Sequence, residues 1–123
     1  MSTKQKPPRK TGIAHFFAAA SYSAGGIRRL TQESAFRQEL LGLVAVPILL
    51  AIFGATLLHY LVFLGLALLV IALEALNTAI ECLVDHLTQD WAEFARDAKD
   101  LGSLAVLCGL LCHALLIAHV ILT

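Results

Sequence analysis

The chain has 123 residues, 59% of them hydrophobic and 15% charged, and a formal net charge of zero. That balance excludes an ordinary soluble globular domain, and neutrality gives no case for nucleic acid or another polyanionic partner. The apolar residues are also concentrated: Leu40 to Leu73 and Leu101 to Thr123 contain no Asp, Glu, Lys or Arg, so the expected fold is an all-α membrane protein.

Residues 1–10 carry Lys4, Lys6, Arg9 and Lys10 beside Pro7 and Pro8. With nothing to bury, they are expected to be a disordered basic tail. Residues 11–32 place Ile13, Phe16, Phe17 and Ala20 at helical spacing, which predicts an amphipathic helix on the membrane surface with Arg28 and Arg29 near headgroups. Gly25 and Gly26 are expected to interrupt it. A secretory leader is the competing reading, since basic residues precede an apolar stretch ending at Ala18 to Ser21, but that stretch is short and contains His15.

Residues 33–123 are expected to form a three-helix transmembrane domain. The Leu40 to Leu73 run is 34 residues long; as one helix it would measure about 51 Å and overshoot a hydrocarbon core of about 30 Å. It has to turn at Gly54, Ala55 and Thr56, giving a first span over Ser34 to Phe53, with Pro47 as a possible kink, and a second over Leu57 to His86. A polar stretch from Thr88 to Asp100 leads into a third span over Ala98 to Leu122. The lysines and arginines precede or enter the first span or lie between the second and third, with none near His59. The positive-inside rule therefore puts the N-terminus and the Thr88 to Asp100 loop in the cytoplasm and the C-terminus outside.

Ionisable groups at membrane depth are costly, so each is a functional candidate that needs a partner. In the second span Glu74, Asn77, Glu81 and Asp85 recur at intervals of three, four and four, which confines them to an arc of roughly 80°. Such a stripe has to line a helix interface or a hydrated groove. The first span begins with Glu33, Arg37 and Glu39, where Glu33 and Arg37 stand one turn apart as a surface ion pair would. The third begins with Lys99, Asp100 and Ser103, where Lys99 has the length to snorkel to headgroups. Hard oxygen donors in this number suit Mg²⁺ completed by substrate phosphates, and phosphoryl transfer needs little besides positioning, metal, positive charge and a base. The soluble nucleotide signatures G-x-x-x-x-G-K-[ST] and G-x-G-x-x-G and the metalloprotease H-E-x-x-H are all missing.

Cys82, Cys108 and Cys112 lie in apolar segments, where cysteine is usually a small hydrophobe. A metal reading of Cys108, Cys112 and His113 lacks a fourth ligand.

Three segments then carry a resemblance. They are Glu33-Ser34-Ala35-Phe36-Arg37-Gln38-Glu39, Glu74-Ala75-Leu76-Asn77-Thr78-Ala79-Ile80-Glu81 followed by Asp85, and Ala98-Lys99-Asp100-Leu101-Gly102-Ser103. In order and spacing the chain resembles the prokaryotic integral-membrane diacylglycerol kinases from about Thr11 onward. The resemblance implies a homotrimeric bundle in the bacterial cytoplasmic (inner) membrane that phosphorylates diacylglycerol to phosphatidic acid with ATP and Mg²⁺. It implies Glu74 as general base, Glu33 and Glu81 as metal ligands, and Tyr22, Asn77, Asp90, Lys99 and Asp100 in the nucleotide site. Ala35, Arg37, Gln38, Glu39 and Ser103 would join Glu74 on the lipid side. Ala24, His15 and the Trp91-Ala92 pair depart from the family pattern, at positions that bear on surface-helix contacts and adenine recognition.

Two rivals stand beside this reading: an undecaprenol kinase, which performs the same chemistry on a polyprenol, and a small proton-coupled transporter, which an embedded glutamate also suits. Against the transporter, the carboxylates gather at one end of the spans instead of forming a path across.

Overall fold

The structure, a computed structural model, describes residues 4–123; the first three residues of the expected tail lie outside the described residues. Residues 4–11 have no regular secondary structure. Four helices follow: α1 (Gly12–Leu30), α2 (Ser34–Ile52), α3 (Leu57–Leu87) and α4 (Glu93–Leu122). Among the described residues there is no strand. The last three helices are long and apolar enough to cross a membrane. The 19 residues of α2 reach about 28 Å, whereas α3 and α4, with 31 and 30 residues, reach about 45 Å. A core of about 30 Å therefore leaves several turns of α3 and α4 projecting beyond the membrane at one end.

The turn between α2 and α3 forms where the long apolar run was expected to break. Gly54 adopts φ +71°, a left-handed conformation that glycine takes without a Cβ penalty. The Gly54 N–H donates to the Ala51 carbonyl and the Ala55 N–H to the Leu50 carbonyl, which satisfies orphan carbonyls of α2. Thr56 then caps α3, its backbone N–H donating to His59 Nδ1 at 3.0 Å. Leu50, Phe63, Ala67, Leu116 and Val120 form a buried cluster just behind this turn. The His59 ring meets that of His119 edge-on at 5.4 Å.

The α3–α4 pair is the main structural unit. Gly109 lets the two backbones approach, because a Cβ there would lie 3.0 Å from Leu73 Cδ1 and Val70 Cγ2. His113 is buried on the same seam, with Nδ1 3.2 Å from the Gly109 carbonyl and Phe63 edge-on at 5.7 Å.

Three local expectations are corrected. α1 runs unbroken through Gly25 and Gly26; a helical glycine costs only about 1 kcal/mol, and Leu30, 2% exposed, anchors the last turn. α4 begins at Glu93, five residues before Ala98, because Glu93 favours a first helical turn and Ala95 is buried; the connection shrinks to residues 88–92. Glu33 does not pair with Arg37. It binds Arg29 at 2.7 Å, while Arg37 Nη1 donates to the carbonyls of Thr31 and Gln32 at 3.1 and 3.3 Å.

Candidate active site

Glu74 is the one buried acidic residue among those described, 5% exposed. It lies 17 positions into α3, about 26 Å from that helix's first residue, while Glu81 and Asp85 lie about 36 and 42 Å along. From the other side Ser103 lies about 29 Å back from Leu122. Glu74 and Ser103 thus occupy the same level, at the edge of a hydrocarbon core, with Glu81 and Asp85 a few turns beyond it.

A cavity of about 420 Å³ opens at this level, lined by Ala35 and Glu39 from α2, Glu74, Asn77 and Glu81 from α3, and Ser103, Val106, Leu107 and Leu110 from α4. The helical period that set the stripe on one face of α3 turns that face toward α4. Glu39, though five residues into α2, lines the same cavity as Glu74, and its Oε2 is buried with no donor. Asn77 Nδ2 points to Glu81 Oε1 at 3.5 Å, the outer limit of such contacts, and Asn77 Oδ1 is buried without a partner.

Above the cavity, Lys99 Nζ donates to Asp85 Oδ1 at 2.8 Å. Lys99 also borders a second hollow of about 260 Å³ formed by Gln89, Asp90, Trp91, Ala92, Ala95 and Arg96. The Arg96 guanidinium lies 5.9 Å from the centre of the Trp91 ring, within cation–π range.

The structure does not gather every expected residue in one place. Ala35, Glu39, Glu74, Asn77, Glu81 and Ser103 share the cavity; Asp90 and Lys99 line the hollow above it. Arg37, Gln38 and Asp100 are exposed. Tyr22 is exposed on α1, and the C-terminal end of α1 faces Ala75, Thr78, Ala79 and Cys82 across a smaller hollow. That face of α3 is rotated roughly 110° from the acidic stripe. Glu33 stands on the same flank, held by Arg29, whose Nη2 also reaches Cys82 Sγ at 3.6 Å. The hydrogen bond to Glu33 is the main reason that Arg29 has a raised pKa. Arg29, expected near the headgroups, engages Glu33, and Arg37 stands at the same four-residue spacing from it.

The cavity residues fit a hard divalent cation. Glu81 offers carboxylate oxygens, with the Asn77 amide beside them. Among the described residues no three His, Cys, Asp or Glu side chains converge to hold a metal unaided, so a cation here would need phosphate oxygens and water to complete its shell, as Mg²⁺ commonly does.

The fold and cavity together define an all-helical membrane protein with a buried carboxylate beside polar groups at one membrane boundary, an arrangement suited to chemistry on a lipid headgroup. The family model described as prokaryotic diacylglycerol kinase matches residues 21–122, and the chain belongs to that family. It is 46% identical over 114 residues to a diacylglycerol kinase of a Sinorhizobium species, covering 93% of this chain and 83% of the relative. Diacylglycerol kinases of Haemophilus influenzae and Escherichia coli K12 are 34% and 32% identical, covering 83% and 82% of this chain and 87% and 84% of the relatives. A diacylglycerol kinase activity follows from this membership, and a kinase implies ATP as the phosphoryl donor.

Proposed function

We propose that the chain transfers the γ-phosphoryl group of ATP to the free hydroxyl of diacylglycerol at the cytoplasmic face of the bacterial inner membrane, with Glu74 as general base. The observation that carries this reading is the burial of Glu74 beside Glu39, Asn77, Glu81 and Ser103 at the membrane boundary. A diacylglycerol hydroxyl lies just beneath the headgroups, at the level of Glu74, whereas ATP stays in water, at the level of Glu81, Asp85 and Lys99.

In the proposed reaction the lipid hydroxyl enters between Ala35 and Ser103 and gives its proton to Glu74 while its oxygen attacks the γ-phosphorus. The bond from that phosphorus to the β,γ-bridging oxygen breaks and ADP leaves. Glu39, which lines the cavity with Glu74, holds the base in orientation; Arg37 and Gln38 flank the lipid entrance. Lys99 offers positive charge to the phosphates, with Asp100, Asp90 and Tyr22 toward the nucleoside. Glu81 and Glu33 are the residues that would hold Mg²⁺, with Asn77 beside Glu81. When bound, the cation would neutralise charge building on the phosphate oxygens.

The cytoplasmic side is assigned from the Lys and Arg distribution, which leaves the C-terminus outside. A homotrimer fits the open cavity and the lightly covered α2, whose buried residues are Phe36 and Leu50; a neighbouring copy would close a site that one chain leaves open, and Glu33 would then serve the site from its flank. Incubating purified protein with labelled ATP, Mg²⁺ and a mixture of diacylglycerol and undecaprenol tests the reading. Label in phosphatidic acid supports it; label in the polyprenol alone would replace it with an undecaprenol kinase, and label in neither would reject both.

A further inference from the structure

Gly102 lies one turn beyond Lys99 on α4 and is buried. A Cβ built at Gly102 would collide with Asn77 Oδ1 and lie 3.2 Å from Asn77 Cγ, while the next nearest atom, Asn77 Cα, would be 3.7 Å away. The obstacle to a side chain at residue 102 is therefore the amide of Asn77, and the α3 backbone there stands at an ordinary contact distance. The amide in turn has little freedom. Its oxygen lies against Gly102 without a hydrogen-bond donor, and its nitrogen points to Glu81 Oε1 at 3.5 Å.

From this juxtaposition we infer that Gly102 is a positioning residue for the nucleotide end of the site: by presenting bare backbone to Asn77, it fixes the amide so that Nδ2 faces the Glu81 carboxylate. A methyl group at residue 102 displaces the Asn77 amide and, with it, the orientation of Glu81. The three atoms nearest the methyl all belong to Asn77, and none to Glu74 at the lipid end of the cavity. The effect falls on MgATP and spares diacylglycerol. This inference rests on the proposed placement of the nucleotide at Asn77 and Glu81.

The test is a double-mutant cycle of Gly102→Ala and Asn77→Ala, reading KM for MgATP, KM for diacylglycerol, kcat and thermal midpoint in detergent micelles. Gly102→Ala is expected to raise KM for MgATP on the order of tenfold, the scale of one overpacked methyl, with KM for diacylglycerol little changed. In the Asn77→Ala background, where the nearest remaining Asn77-position atom is 3.7 Å from the new methyl, Gly102→Ala is expected to add nothing. An equal further loss there, or an unchanged KM for MgATP in Gly102→Ala alone, would overturn the inference. If Gly102→Ala does not fold, a folded double variant that behaves like Asn77→Ala supports it; an unfolded double variant shows that residue 102 acts on helix spacing and overturns it. Asn77→Ala with wild-type KM for MgATP would instead refute the nucleotide placement, and the inference with it.

Discussion

Lys99 and Asp85, fourteen positions apart in sequence, are joined by a hydrogen-bonded ion pair of 2.8 Å that ties the start of α4 to the end of α3. Both side chains remain largely open to solvent, and exposed pairs of this kind contribute only about 0–1 kcal/mol. The pair is therefore better suited to holding a lysine ready for phosphate than to holding helices together. Lys99→Ala is expected to raise KM for MgATP about tenfold or more, the scale of a lost hydrogen bond to a charged group, with a thermal midpoint within a few degrees of wild type. Nucleotide titration and thermal unfolding in the same detergent check both parts.

Glu81 and Glu33 make different use of their carboxylates: Glu81 faces Asn77 in the cavity, and Glu33 is neutralised by Arg29 on the flank. If both ligate Mg²⁺, Glu81→Ala and Glu33→Ala each raise the Mg²⁺ concentration needed for half-maximal turnover or remove turnover. Titrating Mg²⁺ at fixed ATP reads this directly, and unchanged metal dependence in both variants would remove the metal assignment.

Glu39 lines the cavity with Glu74 and has a buried oxygen with no donor. Glu39→Gln places a hydrogen-bond donor beside Glu74, whereas Glu39→Ala removes that neighbour. The alanine variant is expected to lose at least about tenfold more kcat than the glutamine variant, since an unsatisfied buried group costs roughly 1–3 kcal/mol. Equal kcat in the two would show that Glu39 does not orient the base.

Much of this arrangement can be read from residues alone. The length of the Leu40 to Leu73 run demands a turn, and Gly54 is the residue able to make it; the three–four–four spacing of Glu74, Asn77, Glu81 and Asp85 puts them on one face of α3. What the chain's local pattern does not contain is the choice between equivalent partners. Arg29 and Arg37 are both four residues from Glu33, and the connector decides between them by leaving the Thr31 and Gln32 carbonyls for Arg37. The meeting of Glu39 with Glu74 depends on how α2 packs against α3, which neither segment encodes by itself. The early start of α4 reflects burial of Ala95, a tertiary gain that outweighs the polar composition around it.

Gly54 supplies a stability test separate from catalysis. Its φ of +71° has open space around a would-be Cβ, so Gly54→Ala adds backbone strain without a clash. A cost of about 1–2 kcal/mol is expected, seen as a lower thermal midpoint with KM values near wild type.

The buried carboxylate of Glu74 is the centre of the proposed chemistry, and Glu74→Gln changes its proton affinity while keeping its shape. The decisive measurement is transfer of label from γ-labelled ATP to diacylglycerol by purified Glu74→Gln beside wild type, with nucleotide binding and thermal midpoint recorded on the same samples. Transfer should fall about 10²–10⁴-fold, the range ascribed to a positioned general base, with binding and midpoint preserved. Transfer within a few-fold of wild type would show that another group takes the lipid's proton.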